Sequence, residues 1–416
     1  MALQPSTASN YPSGFNNITI RGVPITQSHP GQVFWVSNTA SPLPGQISGS
    51  DGNPGTFNAP FATLQYAISR TVPQRGDIIF IKPGHNESIT SNTLNVPGAT
   101  ATANAITHYS SGVAIVGLGT GSNRPTFTFN TAASASIVMG CTPATMTASI
   151  ATTGVMTVTV LTSGTILTGM NLFGTGIQTG TYITSQLSGT TGGVGTYQVS
   201  IAPAATVSSG TVVGALGQDN SFQNILFVSN YADVTSAFTM TAAGYIRDLA
   251  IERCEFRDQS SALNFISIFT GAATTANNCN GFTFNNNKII SLGTTAATTA
   301  IKFVTAQDRV SINDNAGNWA VLNDTAAMLA TGANSITNFE FSRNFINRPN
   351  TSTTSGLAIS TSGTAWTGQC NDNRIWGLNG TAQIWINTGT KLAFNQNFCT
   401  ITGAADKSGL INPAAA

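Results

Sequence analysis

From Asn224 to Asn397 one short phrase recurs: alternating apolar and polar positions, a polar corner, then a second short apolar stretch. It reads Gln223-Asn224-Ile225-Leu226, then Glu252-Arg253-Cys254-Glu255-Phe256, then Phe284-Asn285-Asn286-Asn287-Lys288-Ile289. Aligned on Asn or Cys254, the corners fall at 224, 254, 287, 315, 344, 373 and 397, giving steps of 30, 33, 28, 29, 29 and 24. Alternation of period two predicts strands, and a step of this length predicts coils that stack into a solenoid. Asparagine suits the corners because it tolerates left-handed backbone and can hydrogen-bond from coil to coil.

Upstream the pattern differs. Prolines 5, 12, 24, 30, 42 and 44 break residues 1–50 into an irregular arm holding one apolar stretch, Gln32–Val36. The aromatics Tyr11, Phe15, Phe34 and Trp35 favour an arm that anchors on a partner over a solvated tail. A Gly/Pro/Asn turn from Asp51 leads into a short amphipathic helix marked by Phe61, Leu64, Ala67 and Ile68. Gly76–Gly84 then encloses a buried strand. Residues 51–143 are read as cap and first coils. Residues 144–214 lose the Asn corners for Thr, Gly, Val and Ser in short alternating strands, as in Val155–Leu161. That stretch predicts a small all-β module looped out between intact coils. Coils resume over 215–403, and 404–416 reads as a tail.

Only 7% of the 416 residues are charged and the net charge is +1, with 41% apolar. Stacked coils account for this, because Thr and Asn replace charges where every strand is paired above and below. The 16 Lys and Arg form no stripe for phosphates, so nucleic acid is not an expected partner. No apolar run approaches the roughly 20 residues of a membrane span, and the start lacks the features of a signal peptide. Five scattered cysteines (141, 254, 279, 370 and 399) show no zinc spacing and read as buried thiols.

Chemistry has few places to sit. The densest charge cluster is Glu252–Asp258, where strand alternation would put Glu252, Cys254 and Phe256 on one face and Arg253, Glu255 and Arg257 on the other. It reads as a mixed ion-pair surface, with paired catalytic carboxylates as the rival and Asp219 and Asp233 as distant additions. His85 can pair with Glu87 across a turn, and no third partner completes a nucleophilic set. The glycines at 117–121 and 174–176 lack a following lysine, so no cofactor is implied. Trp319, Trp366, Trp376 and Trp385 either plug the coils or stack on sugars.

The segments Asp51–Ser69 and Gly76–Gly84 resemble the opening cap of right-handed parallel β-helix proteins of the pectate-lyase-like superfamily. The resemblance implies an all-β, right-handed parallel β-helix with an N-terminal arm, a capping helix and an inserted module. Gly174–Thr181 and Gly195–Ser200 resemble a module of tailed-phage virion proteins. The arm, Gly14–Pro24 with His29–Val36, is similar to that of an uncharacterised group of such proteins. That likeness implies a structural virion protein, a homotrimer partnered by the major capsid protein or other virion proteins, and the expectation taken with it is a non-enzymatic role. Phe15, Arg21, Phe34 and Trp35 would be its anchoring residues. A capsid decoration or cement protein is the first expectation. The alternative is a tail spike or fibre that binds host glycan, with or without cleaving it.

Overall fold

A computed structural model of the chain describes residues 19–20, 23–24, 31–39, 45–95, 97, 101–240, 245–271, 279–292, 299–318, 327–332, 336–347, 357–361, 367–379, 383–385, 391–395 and 398–402. Strands dominate and pair into three long parallel sheets of ten, nine and eight strands. Each coil gives one strand to each sheet in turn. Ile78–Ile81, Asn86–Ile89 and Ile106–His108 make one coil, and Ala114–Gly117, Thr126–Phe129 and Ile137–Met139 the next. The path repeats through Lys391–Asn395 and Phe398–Thr402. This is a parallel β-helix, as the spacing of the corners predicts.

Alternation within each short strand fills the interior. In Ile78–Ile81 the burial pattern alternates, and Ile79 and Ile81 are fully buried. Parallel register then stacks like on like. Phe127 sits on Phe227 at 6.0 Å between ring centroids, and Phe227 on Phe256 at 5.1 Å and nearly coplanar. Offset stacking of this kind adds roughly 0.5–1.5 kcal/mol per pair beyond burial.

Two positions share the work expected of the asparagine corner. Asn224, Arg253, Asn286, Asp314, Arg343 and Asp372 take the left-handed conformation, with φ between 54° and 58°. The next residue turns inward and forms the ladder. Asn287, Asn315, Asn344 and Asn373 are all buried, and each side-chain oxygen accepts the backbone N–H of the preceding coil's ladder residue. Their side-chain amides donate to Ile251, Phe284, Ile312 and Phe341 carbonyls at 2.7–2.8 Å. Asn224 therefore belongs to the left-handed row, one place before the ladder, where Ile225 stands (Gln223 pairs with Glu252). Cys254 ends the ladder, its thiol donating toward Phe222 and Glu252 carbonyls at 3.6 and 3.3 Å.

The solenoid begins earlier than the sequence suggested. Val33–Val36 is the first strand of the ten-stranded sheet, in register with Ile78–Ile81. Above this coil lies the helix Leu64–Arg70, with Leu64, Ala67 and Ile68 facing the interior. Its free N–H groups are taken in sequence. Asp51 accepts from Ala62 and Thr63, Glu87 from Leu64, and the Thr63 hydroxyl from Tyr66. A helix closing the first coil removes an open strand edge.

The module spans Ala144–Ala215 as six antiparallel strands with a buried face that includes Met146, Ile150, Met156, Ile183 and Tyr197. The coils on either side still pair directly: Ala114 with Ser221, Thr126 with Leu226 and Ile137 with Phe238. It docks on the solenoid through Phe173, stacked on Tyr245 at 5.1 Å with the Arg247 guanidinium 4.3 Å from its ring centre. Among the described residues no helix is long and apolar enough to cross a membrane.

Candidate functional site

The expected anchoring residues divide. Phe15 and Arg21 lie outside the described residues. Phe34 and Trp35 are buried within this chain, in the first strand of the solenoid and not in a separate arm. Phe34 points into the coil and meets Phe61 at 6.0 Å. Trp35 faces outward but is stacked on Phe80 at 5.1 Å and covered edge-on by Phe57 at 4.8 Å. Lys82 closes this box. Its ammonium lies 4.2 Å from the Phe57 ring centre and donates to Gln46 and to the Phe57 carbonyl. Burial pushes its pKa down to about 8. The signal was present: four apolar residues in a row without alternation mark a strand covered on both faces.

The Glu252–Asp258 cluster is a corner, not one strand. Ala250–Glu252 belongs to the ten-stranded sheet and Glu255–Asp258 to the nine-stranded one, with left-handed Arg253 between them. Simple alternation across the corner therefore fails. Glu252 faces outward and Cys254 is buried. Glu255 is held by Arg257 beside it and by Arg124 from two coils earlier at 3.2 Å. Asp258 accepts from the backbone N–H groups of Phe265 and Leu292 and from the Ser291 hydroxyl. Asp219 sits before the ten-stranded sheet, at the end opposite Glu252, and burial followed by the nearby Asp248 charge raises its pKa. Asp233 lies at another corner, between the second and third sheets.

Buried titratable groups are held for packing. His85 accepts the Asn38 N–H at Nδ1, 3.1 Å, which puts its proton on Nε2 facing Glu87 at 3.1 Å. His108 is fully buried against Phe222, and neither ring nitrogen has a partner among the described residues. Burial drives its pKa down to about 3, so it stays neutral. Burial raises the Cys141 thiol to about 11 and the Cys254 and Cys370 thiols to about 12, far from the thiolate form a nucleophile needs. His29, Trp319 and Trp366 lie outside the described residues, and Trp376 and Trp385 fall in strands Arg374–Asn379 and Gln383–Trp385.

What the described residues do present is the outer face of the ten-stranded sheet. Gln223, Glu252, Asn285, Asn313, Ser342 and Asn371 form one row across six coils. The Asn285 side-chain oxygen accepts the Asn313 N–H, and that of Asn313 accepts the Ser342 N–H, both at 2.8 Å. Beside the row, Arg343 grips Asp314 of the preceding coil with two bonds of 2.8 Å, which holds the Asp314 carboxyl below its usual range. The row is polar, with Glu252 its one charged member and with Asn313 and Ser342 buried.

No family model and no curated protein matches this chain. Among solved structures it is similar to the complex of XylC with xylose at 12% identity and a TM-score of 0.23, over 89% of this chain and 68% of that one. It is also similar to the tailspike protein gp49 from Pseudomonas phage LKA1 at 11% identity and a TM-score of 0.18, over 82% of this chain and 71% of that one. Likeness at that level decides nothing about function. The architecture rests on the strand pairing itself: the chain is an all-β parallel β-helix carrying an inserted antiparallel module.

Proposed function

We propose that this chain is a non-enzymatic structural protein of a tailed-phage virion, a capsid decoration or cement protein whose β-helix stands out from the particle surface. The observation that carries the reading is how the few charges are used. Asp51, Asp77, Glu87, Glu255 and Asp258 each accept from backbone N–H groups or pair with arginines, one of which, Arg124, reaches Glu255 across two coils. Asp77 is fully buried, between Arg75 at 2.7 Å and the N–H groups of Gln32 and Val72. Carboxylates bound this way stiffen a wall and are poorly placed to exchange protons with a substrate. The resemblance of the inserted module to virion modules supports the same reading.

A second reading has its own observation. The polar row on the ten-stranded sheet leaves Gln223, Glu252, Asn285 and Asn371 part-exposed, with Asn313 and Ser342 buried between them, as side chains a spike could turn to a host glycan. Copy number separates the two. Quantitative mass spectrometry of purified virions should find this chain in numbers comparable to the major capsid protein. A handful of copies per particle would reject decoration in favour of a spike, fibre or vertex fitting.

A further inference from the structure

Under the capping helix lies a cavity of about 440 Å³, inside the range of roughly 300–1,000 Å³ usual for small-molecule sites. Asp51, Gln65, Tyr66, Glu87, Asn95 and Tyr109 line it together with the loop that closes its far side. Glu87 is the central group. Its Oε2 takes two donors, the Leu64 N–H at 2.9 Å and His85 Nε2–H at 3.1 Å. The His85 tautomer is fixed from behind by the Asn38 N–H. The carboxylate is thus locked in place, and its Oε1 has no partner among the described residues. Gln65 is similar: its oxygen accepts the Thr107 N–H at 2.6 Å, leaving the side-chain NH₂ free. The Tyr66 and Tyr109 phenols add two hydroxyls without partners among the described residues.

Two other polar side chains of the wall are spent. Both oxygens of Asp51 serve the start of the helix and Thr63. Asn95 accepts from Thr102 and donates to Ala105. What remains on the helix and strand side is one fixed acceptor, one amide donor and two hydroxyls, with tyrosine rings beside them, and the exposed Thr102 and Asn104 side chains lie on the loop side. That set matches neighbouring hydroxyl groups on an apolar ring face. No lysine or arginine lines the cavity, so an anion would meet a carboxylate without compensation. The Asp51 charge is already answered by helix N–H groups, which weakens the pull on a cation. We propose that this cavity binds a neutral sugar, one to two rings in size, with Glu87 Oε1 accepting from a ring hydroxyl and Gln65 donating to its neighbour.

Saturation-transfer NMR on the full chain tests this with glucose, galactose, N-acetylglucosamine and lactose as probes, and with glucuronate and glucosamine as charged controls. At least one neutral sugar should bind saturably, with Kd near the millimolar range. Glu87→Gln should weaken it about tenfold, and Tyr66→Phe about threefold to fivefold, as expected for charged and neutral hydrogen bonds. Tyr66→Phe removes one oxygen from a half-buried ring and leaves the helix cap untouched, so it keeps the test decisive if Glu87→Gln loosens the cap. Absence of saturable transfer from every neutral probe overturns the proposal. So does binding that ignores Tyr66→Phe and Glu87→Gln alike, or a salt-sensitive preference for glucosamine over glucose.

Discussion

Replacing Asn344 by alanine strikes the asparagine ladder at a position with a ladder asparagine on either side. Its Oδ1 accepts from the Asn315 N–H at 3.1 Å and from the Asn315 side chain at 2.9 Å. Its Nδ2 donates to the Ile312 carbonyl at 2.8 Å and to Asn373 Oδ1 at 3.0 Å. Two of the partners keep another bond. Asn315 Nδ2 still reaches the Phe284 carbonyl, and Asn373 Oδ1 still receives the Asn344 N–H. The Asn315 N–H and the Ile312 carbonyl lose the bonds this side chain makes at the corner, in a site where Asn344 is 1% exposed. At about 1–3 kcal/mol for each of the two buried groups left without that partner, and a few tenths for the rest, the loss is about 2–6 kcal/mol. Asn344→Asp keeps the acceptor but turns an oxygen toward the Ile312 carbonyl, so it should be no better than alanine at neutral pH. A solenoid is stabilised coil by coil, so the loss is local first. Hydrogen exchange should therefore show the Asn315 amide losing protection by several orders of magnitude, with amides two coils away changed little. A loss under about 1 kcal/mol, with Asn315 still protected, would refute the claim that the ladder holds the corners.

Three further outcomes follow from the packing. Cys254→Asn should extend the ladder by one coil and raise stability by about 1 kcal/mol, read from the denaturation midpoint; a loss would mean the thiol fits a space the amide cannot. His108→Leu removes two unpartnered ring nitrogens and should stabilise by about 1–3 kcal/mol at pH 7. The native ring titrates near 3 against 6.5 when unfolded, so its stability term is intact above pH 6.5 and is lost progressively as pH falls toward 3. The variant should lie further above the parent at pH 4 than at pH 7, and an equal gap at both would count against the assignment. Phe173→Ala breaks the stack on Tyr245 and the contact with Arg247, a local loss of about 1–3 kcal/mol; limited proteolysis should then separate the 144–215 module from the coils faster than in the parent.

Much of the fold was legible because its rules are local. Alternation gave the strands, the 24- to 33-residue steps gave the coils, and the loss of Asn corners marked the inserted module. The failures came where one residue type serves two geometries. Asparagine occurs both in the left-handed row, at Asn224 and Asn286, and in the inward ladder, at Asn287 and Asn315. Type alone cannot separate them, since both positions reward a short polar side chain. Glu252–Asp258 misled for a related reason: strand alternation holds only until the chain turns, and an arginine at the turn carries no sign of its left-handed backbone.

By itself, then, the sequence determined a stacked, charge-poor β-solenoid with a cap helix and an insertion, because hydrophobic period and repeat length act over a few neighbouring residues. Tertiary structure alone decided which long-range partners each polar group would find. It placed Trp35 under Phe57 and Lys82 instead of on a free arm, joined Arg124 to Glu255 across coils, and seated Phe173 between Tyr245 and Arg247. It also left one oxygen of Glu87 facing a cavity between two segments far apart in the chain. Such pairings depend on register and loop path, which no local pattern encodes.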